Sequence, residues 1–157
     1  MPSGSMVSLR RVLGMSHFQT ERTSLIKDLA ESRSRLVGVV EQLKPEEFEQ
    51  ARRGSWAVSK ILDHVLHSER LYTQLISVFS GKPGSVPEAT KFGNAAGAKS
   101  ALDNSREAFL SAVDEVKEDD FFRLQTIGHE EYSVLSILEN NASHDREHAE
   151  QIRKTLA

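Results

Sequence analysis

The sequence contains no cysteine. This absence excludes disulfides, thiolate nucleophiles, zinc knuckles and iron–sulfur clusters supplied by the chain itself. A metal ion bound by this protein must therefore use histidine, carboxylate or water as ligands. The chain also lacks an apolar run long enough for a secretory signal or a membrane span. We therefore expect a cytoplasmic protein with no membrane partner.

A surplus of positive charge is missing as well. The 157 residues include 20 Lys and Arg against 23 Asp and Glu, interspersed along the chain, for a formal net charge of −3. Such a chain has no basic field that would collect phosphates, so we expect no nucleic-acid partner. Its length and its hydrophobic content of 38% suit a single soluble domain. We assign residues 1–16 to an N-terminal extension or a cloning remnant, and residues 17–157 to the domain.

The fold class follows from the spacing of apolar residues, which recur at steps of three, four or seven. The sequence has no internal repeat, and it has no alternating run long enough to indicate a sheet. We therefore predict an all-α four-helix bundle. The helices are expected over residues 17–44, 56–81, 98–118 and 133–156, with Ser55 and Ser133 as N-caps of the second and fourth. The long connection between the second and third helices is compatible with up-down-down-up connectivity and with simple up-down connectivity.

Histidines lie on the predicted inward faces of two helices. The face of the second helix is expected to contain Ile61, His64, Ser68, Leu71, Leu75 and Val78. The face of the fourth helix is expected to contain Ile137, Asn141, His144, His148 and Ile152.

Three of these histidines are candidate metal ligands. His144 and His148 are four residues apart, so their rings lie on one helical face. Burying an unpaired imidazole costs roughly 1–3 kcal/mol, and one ion shared with His64 would satisfy all three rings. Asn141 and Ser68, one turn away, are candidates for lining a cofactor pocket. The spacing is equally compatible with ordinary core histidines, because the rings meet only if the second and fourth helices are neighbours.

Other polar residues receive structural interpretations. We expect Asp145, Arg146 and Glu147 to form a solvated, charged face of the fourth helix. A zinc-protease helix is disfavoured, since Asp145 is shorter than the usual glutamate and no third ligand follows His148. The remaining histidines, His17, His67 and His129, are expected at the surface. Trp56 is expected to anchor one end of the bundle.

Three segments carry a resemblance to a known family: Trp56–His64, His67–Glu69 and Tyr132–Ile152. They resemble the DinB-like superfamily of four-helix bundles, which includes bacterial thiol-dependent S-transferases and mycothiol-dependent maleylpyruvate isomerase. The resemblance implies a divalent metal ion held by His64, His144 and His148. It also implies up-down-down-up connectivity, a long crossover between the second and third helices, and a homodimer.

The resemblance does not identify a substrate, because proteins of one fold can have different functions. We predict a metal-dependent thiol S-transferase acting on a small molecule, with Zn²⁺ or Ni²⁺ as the metal, Fe²⁺ as a further candidate, and a low-molecular-weight thiol as second cofactor. No catalytic residue beyond the ligands is assigned. The alternatives are a metal-dependent hydrolase and a non-catalytic, stress-related bundle with a structural metal.

Overall fold

The computed structural model describes residues 16–82 and 91–157. The elements in chain order are α1 (His17–Glu41), a one-turn 3-10 helix (Pro45–Glu47), α2 (Val58–Ser80), α3 (Ala95–Asp114), α4 (Glu118–Phe121), β1 (Gln125–Ile127), β2 (Glu130–Tyr132) and α5 (Val134–Leu156). The four long helices form the bundle. Within these described ranges, every helix is too short or too polar to cross a lipid bilayer.

Side-chain contacts give the helix directions. Arg106 of α3 bonds to the carbonyl of Leu29, whereas Arg33, one turn further along α1, bonds to the carbonyl of Leu102, so α1 and α3 are antiparallel. The contacts His64–His144 and Glu69–Asn141 likewise make α2 and α5 antiparallel. Apolar packing places α2 beside α3 and α1 beside α5, each pair running in the same direction. The predicted four-helix bundle with up-down-down-up connectivity is confirmed.

The connection between α2 and α3 covers residues 81–94. Because α2 and α3 are parallel, the end of α2 and the start of α3 lie at opposite ends of the bundle, as the predicted crossover requires. Residues 83–90 of it lie outside the described part of the chain, as does most of the predicted N-terminal segment 1–16.

The apolar core consists of two clusters stacked along the bundle axis. One lies toward the β1–β2 hairpin and includes Leu29, Ile76, Phe109, Ile137 and Ala142. The other lies toward the α1–α2 connection and includes Leu36, Val65, Leu102, Ala149 and Ile152. Along each of the four helices, the switch from one cluster to the other falls at a polar position.

Several predicted boundaries are wrong by a few residues, and each shift has a local cause. α1 ends at Glu41 because the amide of Leu43 turns back to the carbonyl of Val40, before Pro45 begins a 3-10 turn. α3 begins earlier than expected because the Asn94 side chain accepts from the amide of Gly97 at 2.7 Å and caps the helix.

The segment before α5, predicted as irregular, contains α4 and an antiparallel hairpin, so the all-α expectation needs this small correction. Gly128, at φ 68°, and His129 form the two-residue turn between the strands. The positive φ explains a glycine at this position, since other residues adopt that conformation at a cost.

The predicted cap and the predicted inward face of α2 are both wrong. Ser55 is not the N-cap, because α2 begins at Val58 and the carbonyls of Gln50 and Phe48 accept from its first two amides at 3.1 and 2.8 Å. Leu71 and Val78 are 47% and 44% exposed. The buried face is rotated by roughly 100° from the predicted stripe, at 100° per residue; it contains Val58, Ile61, Leu62, Val65, Glu69, Thr73, Ile76 and Phe79.

The predicted cap of α5 is confirmed and can be tested. The Ser133 hydroxyl accepts from the amide of Ser136 at 3.0 Å, and the Ser136 hydroxyl accepts from the amide of Ser133 at 3.0 Å. We expect Ser133→Ala to lower the free energy of unfolding by about 1 kcal/mol, because the amide of Ser136 loses the hydroxyl that accepts its hydrogen bond. Urea unfolding measures this, with Ser143→Ala on the exposed face of α5 as the matched control. Equal stability of both variants would contradict the capping role.

Candidate metal centre

The loop that precedes α2 presents Trp56 to the bundle. An antiparallel bridge between Ala51 and Ala57 closes this loop, and Gly54 turns it with φ 77°. The Trp56 indole lies against the His64 ring at a centroid distance of 5.1 Å and an interplanar angle of 62°. The predicted role of Trp56 as an anchor is therefore only half right, because the indole is 39% exposed and borders the histidines.

The three predicted ligands converge. Nε2 of His144 lies 3.1 Å from Nε2 of His64 and 2.8 Å from Nε2 of His148. His148 is 6% exposed, and the other two rings are partly buried. Within the described residues, this is the one group of three or more histidine or acidic side chains whose ligand atoms lie within 4.8 Å of one another.

Hydrogen bonding alone does not account for this arrangement. A neutral imidazole nitrogen carries either one hydrogen or one lone pair. Nε2 of His144 can therefore form a linear hydrogen bond with only one of the two neighbouring Nε2 atoms. A divalent metal ion at about 2.0–2.1 Å from each nitrogen separates them by about 2.9 Å at right angles and about 3.3 Å in tetrahedral geometry. The observed separations of 2.8 and 3.1 Å are close to these values and fit one ion shared by the three rings.

The protonation of the rings suits metal binding at neutral pH. Burial, together with the nearby rings of His148 and His64, lowers the pKa of His144 to about 4. Burial and the neighbouring His148 and His67 rings also lower the pKa of His64 below its usual value. Both rings are therefore neutral near pH 7, and neutral imidazole is the form that binds a metal.

Gln151 orients the third ring. The Gln151 Oε1 atom accepts from Nδ1 of His148 at 2.6 Å. Because a carbonyl oxygen can only accept, Nδ1 must carry the hydrogen, and the lone pair of Nε2 points toward His64 and His144. The sequence analysis did not identify this residue, although it lies one turn beyond His148 on the same face of α5.

This contact yields a prediction. We expect Gln151→Leu to weaken metal binding by roughly 10- to 100-fold, because the ring loses the acceptor that fixes its tautomer and orientation. Calorimetric titration with Zn²⁺ measures the change. Gln151→Glu, which keeps an acceptor in place, is the matched control and should retain tight binding. Equal affinities for wild type and Gln151→Leu would show that the contact does not orient the ligand.

A cavity of about 660 Å³ opens beside the histidines. Its wall includes His64, His148, Trp56, Gln151 and Lys154. The rings are therefore accessible to a small molecule from one side while the bundle covers the other.

The two predicted pocket residues lie elsewhere. Asn141 is 1% exposed and donates to Oε2 of Glu69 at 3.0 Å, which gives it a partner inside the bundle. Ser68 is partly buried on α2 and is not part of the wall of that cavity. The other histidines are exposed as expected, namely His17, His67 and His129.

A buried charge network lies directly beneath the histidines, and it was missed. Asp145, predicted to be solvated, is 0% exposed. It accepts from Nε of Arg33 at 2.9 Å and from Nη2 of Arg106 at 2.6 Å. Oε2 of Glu69 accepts from the same two arginines at 2.8 and 2.7 Å. Each long helix contributes one charge, and the two positive and two negative charges balance.

The pKa of Glu69 reflects this balance. Burial alone would raise it, but the adjacent charges of Arg33 and Arg106 outweigh that effect and lower it. The network occupies the level between the two apolar clusters, so it aligns all four helices at one height. A signal was present in the sequence, since Arg33 and Arg106 interrupt otherwise apolar stripes.

Comparison with known proteins assigns the chain to a family. The DinB superfamily model matches residues 28–152, which include the three histidines and the charge network. The chain belongs to the DinB superfamily. The resemblance noted from the sequence is thereby confirmed. No curated protein matches the chain significantly.

Solved structures agree with the DinB assignment at the level of the fold. A DinB-like protein from Bacillus cereus ATCC 10987 superposes with a TM-score of 0.67 and 13% identity, covering 84% of this chain and 88% of that one. A four-helix-bundle protein named TT2238 superposes with a TM-score of 0.64 and 17% identity, covering 83% and 96%. At these identities the likeness concerns architecture alone.

Proposed function

We propose that this DinB protein is a metal-dependent transferase that joins a low-molecular-weight thiol to a small electrophile. His64, His144 and His148 would hold one divalent ion, Zn²⁺ or Ni²⁺, with Fe²⁺ as a further candidate. The observation that carries the proposal is the convergence of three Nε2 atoms, at 3.1 and 2.8 Å, beside an open cavity.

Three features of the chain support transfer rather than a purely structural metal. Three protein ligands leave room for a further ligand, which is the arrangement of catalytic rather than structural zinc. The rings border a cavity large enough for a small molecule. The chain has no cysteine of its own, so a sulfur nucleophile must come from a bound thiol.

The proposed reaction forms one carbon–sulfur bond and breaks one bond to a leaving group. A divalent ion bound by the histidines supplies a Lewis acid that makes a thiol or a water molecule more acidic. The thiol proton passes to solvent or to the carboxylate of Glu147 in the cavity wall. The sulfur forms a bond to the electrophilic carbon, and the leaving group departs with its bonding electrons, as chloride from a chlorinated aromatic. Gln151 keeps His148 in the orientation that this requires.

The test is conjugation by protein loaded with Zn²⁺ or Ni²⁺, given a panel of low-molecular-weight thiols and a chlorinated nitroaromatic acceptor. Since the chain has no cysteine, consumption of the thiol can be followed with a thiol reagent without any signal from the protein. We expect conjugation that chelator abolishes and metal restores, and that His144→Ala lacks.

The absence of metal-dependent conjugation with every thiol would contradict the transferase proposal. Hydrolysis of an activated ester by the same loaded protein would then favour the hydrolase. A large drop in melting temperature on chelation, without any turnover, would favour a structural metal, because a ligand bound only to the native state raises its stability.

A further inference from the structure

One direct hydrogen bond marks the level at which α2 meets α5 inside the bundle. Nδ2 of Asn141 on α5 donates to Oε2 of Glu69 on α2 at 3.0 Å, and both residues are 1% exposed. Both arginines of the buried network donate to Glu69 and also to Asp145 on α5. α2 and α5 are therefore joined at this level by one direct polar contact and by two that pass through an arginine.

The three histidines lie on the same side of that level. Because the helices are antiparallel, the direction from Glu69 back to His64 is the same as the direction forward along α5 from Asn141. At about 1.5 Å per residue, His64 lies about 7.5 Å from the level of Glu69. On α5, His144 lies about 4.5 Å and His148 about 10.5 Å beyond Asn141, so their midpoint lies at about 7.5 Å. His64 is therefore level with the midpoint between the other two ligands.

The positions of the rings agree with these axial distances. The centroid of the His64 ring lies 4.9 Å from that of His144 and 4.9 Å from that of His148. A shift of α2 along its axis by about 1.5 Å, the rise of one residue, would halve one of the two axial separations and lengthen the other by half. The meeting of the three rings therefore depends on the axial register of α2 against α5.

Polar contacts resist an axial shift more strongly than apolar packing does. The burial of apolar side chains is non-directional and depends mainly on the area removed from water. Oε2 of Glu69, in contrast, accepts from Arg33, Arg106 and Asn141 at 2.8, 2.7 and 3.0 Å. A slide of α2 along α5 would move this buried carboxylate away from its donors, and a buried charge without partners is costly.

We propose that Glu69 and Asn141 are positioning residues of the metal centre. Their hydrogen bond sets the axial register of α2 against α5, and this register brings His64 to His144 and His148. The inference rests on the metal site of the proposed function, and it adds two residues that act on that site through the ligands rather than on the ion. Asn141 thereby has a role that differs from the predicted lining of a cofactor pocket.

Asn141→Leu tests the direct contact. Leucine has a similar size but cannot donate to Glu69, whose two arginine donors remain. We expect the affinity of the full-length protein for Ni²⁺, measured by calorimetry, to fall by roughly 10-fold, the lower end of the range for residues that orient metal ligands. Ile137→Val, one turn earlier on the same buried face of α5, is the matched control and should change the affinity by less than about twofold.

The same substitution in a His64→Ala background distinguishes positioning from general disruption. In that background the remaining ligands are His144 and His148, which lie four residues apart on α5 and keep their spacing wherever α2 lies. Asn141→Leu should therefore change the residual affinity for Ni²⁺ by less than about twofold. An equal loss in both backgrounds would show that the substitution damages α5 itself and would overturn the proposal, as would an unchanged affinity in the single variant.

Nuclear magnetic resonance of the metal-free protein decides the outcome where Ni²⁺ binding is absent or too weak to measure. Absence of binding by wild type would contradict the proposed metal centre, but the register can still be measured from cross-relaxation between ring protons. In wild type, the His64 ring should show cross-peaks of similar strength to His144 and His148, since the centroid distances are equal. Asn141→Leu should make them unequal. Cross-peaks that stay similar in the variant, or that are missing in wild type, would overturn the positioning role.

Discussion

Replacing His148 with alanine should abolish the proposed metal binding. Nε2 of His148 lies 2.8 Å from Nε2 of His144, and its ring is the most buried of the three. Its loss leaves two ligands. The affinity for the metal should fall by more than the roughly 10- to 100-fold expected when a residue that only hydrogen-bonds a ligand is lost. Elemental analysis of protein purified from metal-supplemented cells, followed by Zn²⁺ titration, measures the change.

The matched control is His67→Ala. His67 lies on α2 one turn after His64, but it is exposed and does not belong to the convergent group. Its replacement should leave the metal content near that of wild type. A metal content that His148→Ala leaves unchanged, or that both variants reduce equally, would contradict the three-histidine centre and with it the proposed function.

Replacing Asp145 with alanine should have the largest effect on stability. Its carboxylate contacts Arg33 and Arg106 at 2.9 and 2.6 Å, and it is 0% exposed. The variant leaves two buried guanidinium groups with a single carboxylate, and breaking a buried pair in this way costs about 3–5 kcal/mol. At about 2–4 °C per kcal/mol for a chain of this size, the melting temperature should fall by roughly 6–20 °C.

An exposed aspartate provides the control. Asp103 pairs with Lys99 at 3.2 Å on the surface of α3, and both side chains are about half exposed. Asp103→Ala should lower the free energy of unfolding by about 0.5 kcal/mol or less, since exposed pairs contribute little. Thermal and urea unfolding of both variants, with chelator present throughout, separates this effect from metal loss. Equal stability of the two variants would show that the buried network does not stabilise the bundle.

Most of the architecture could be predicted because amphipathic spacing is a local property. The apolar steps located all four long helices, and Ser133 marked the start of α5 correctly. Boundaries were less accurate where a helix end depends on contacts from other segments. α2 is the clearest case, because carbonyls of Phe48 and Gln50 replace the cap that Ser55 was expected to provide.

The histidines were identified from their positions on helix faces, and their convergence required the helices to be neighbours. Sequence spacing brings His144 and His148 together within one helix, whereas only the antiparallel packing of α2 on α5 brings His64 to them. Binding of an ion there stays a prediction, as do the homodimer and the thiol. Gln151 was missed because a glutamine near a helix end is ordinarily read as a surface residue.

The sequence by itself determined the helical class, the absence of any sulfur ligand and the placement of His144 and His148 on one face of α5. These depend on composition and on the helical period, which each segment carries independently of the others. The tertiary structure alone decided that Asp145 and Glu69 are buried rather than solvated. The reason is that a charge can enter the core only when an opposite charge meets it there, and Arg33 and Arg106 arrive from helices distant in the chain.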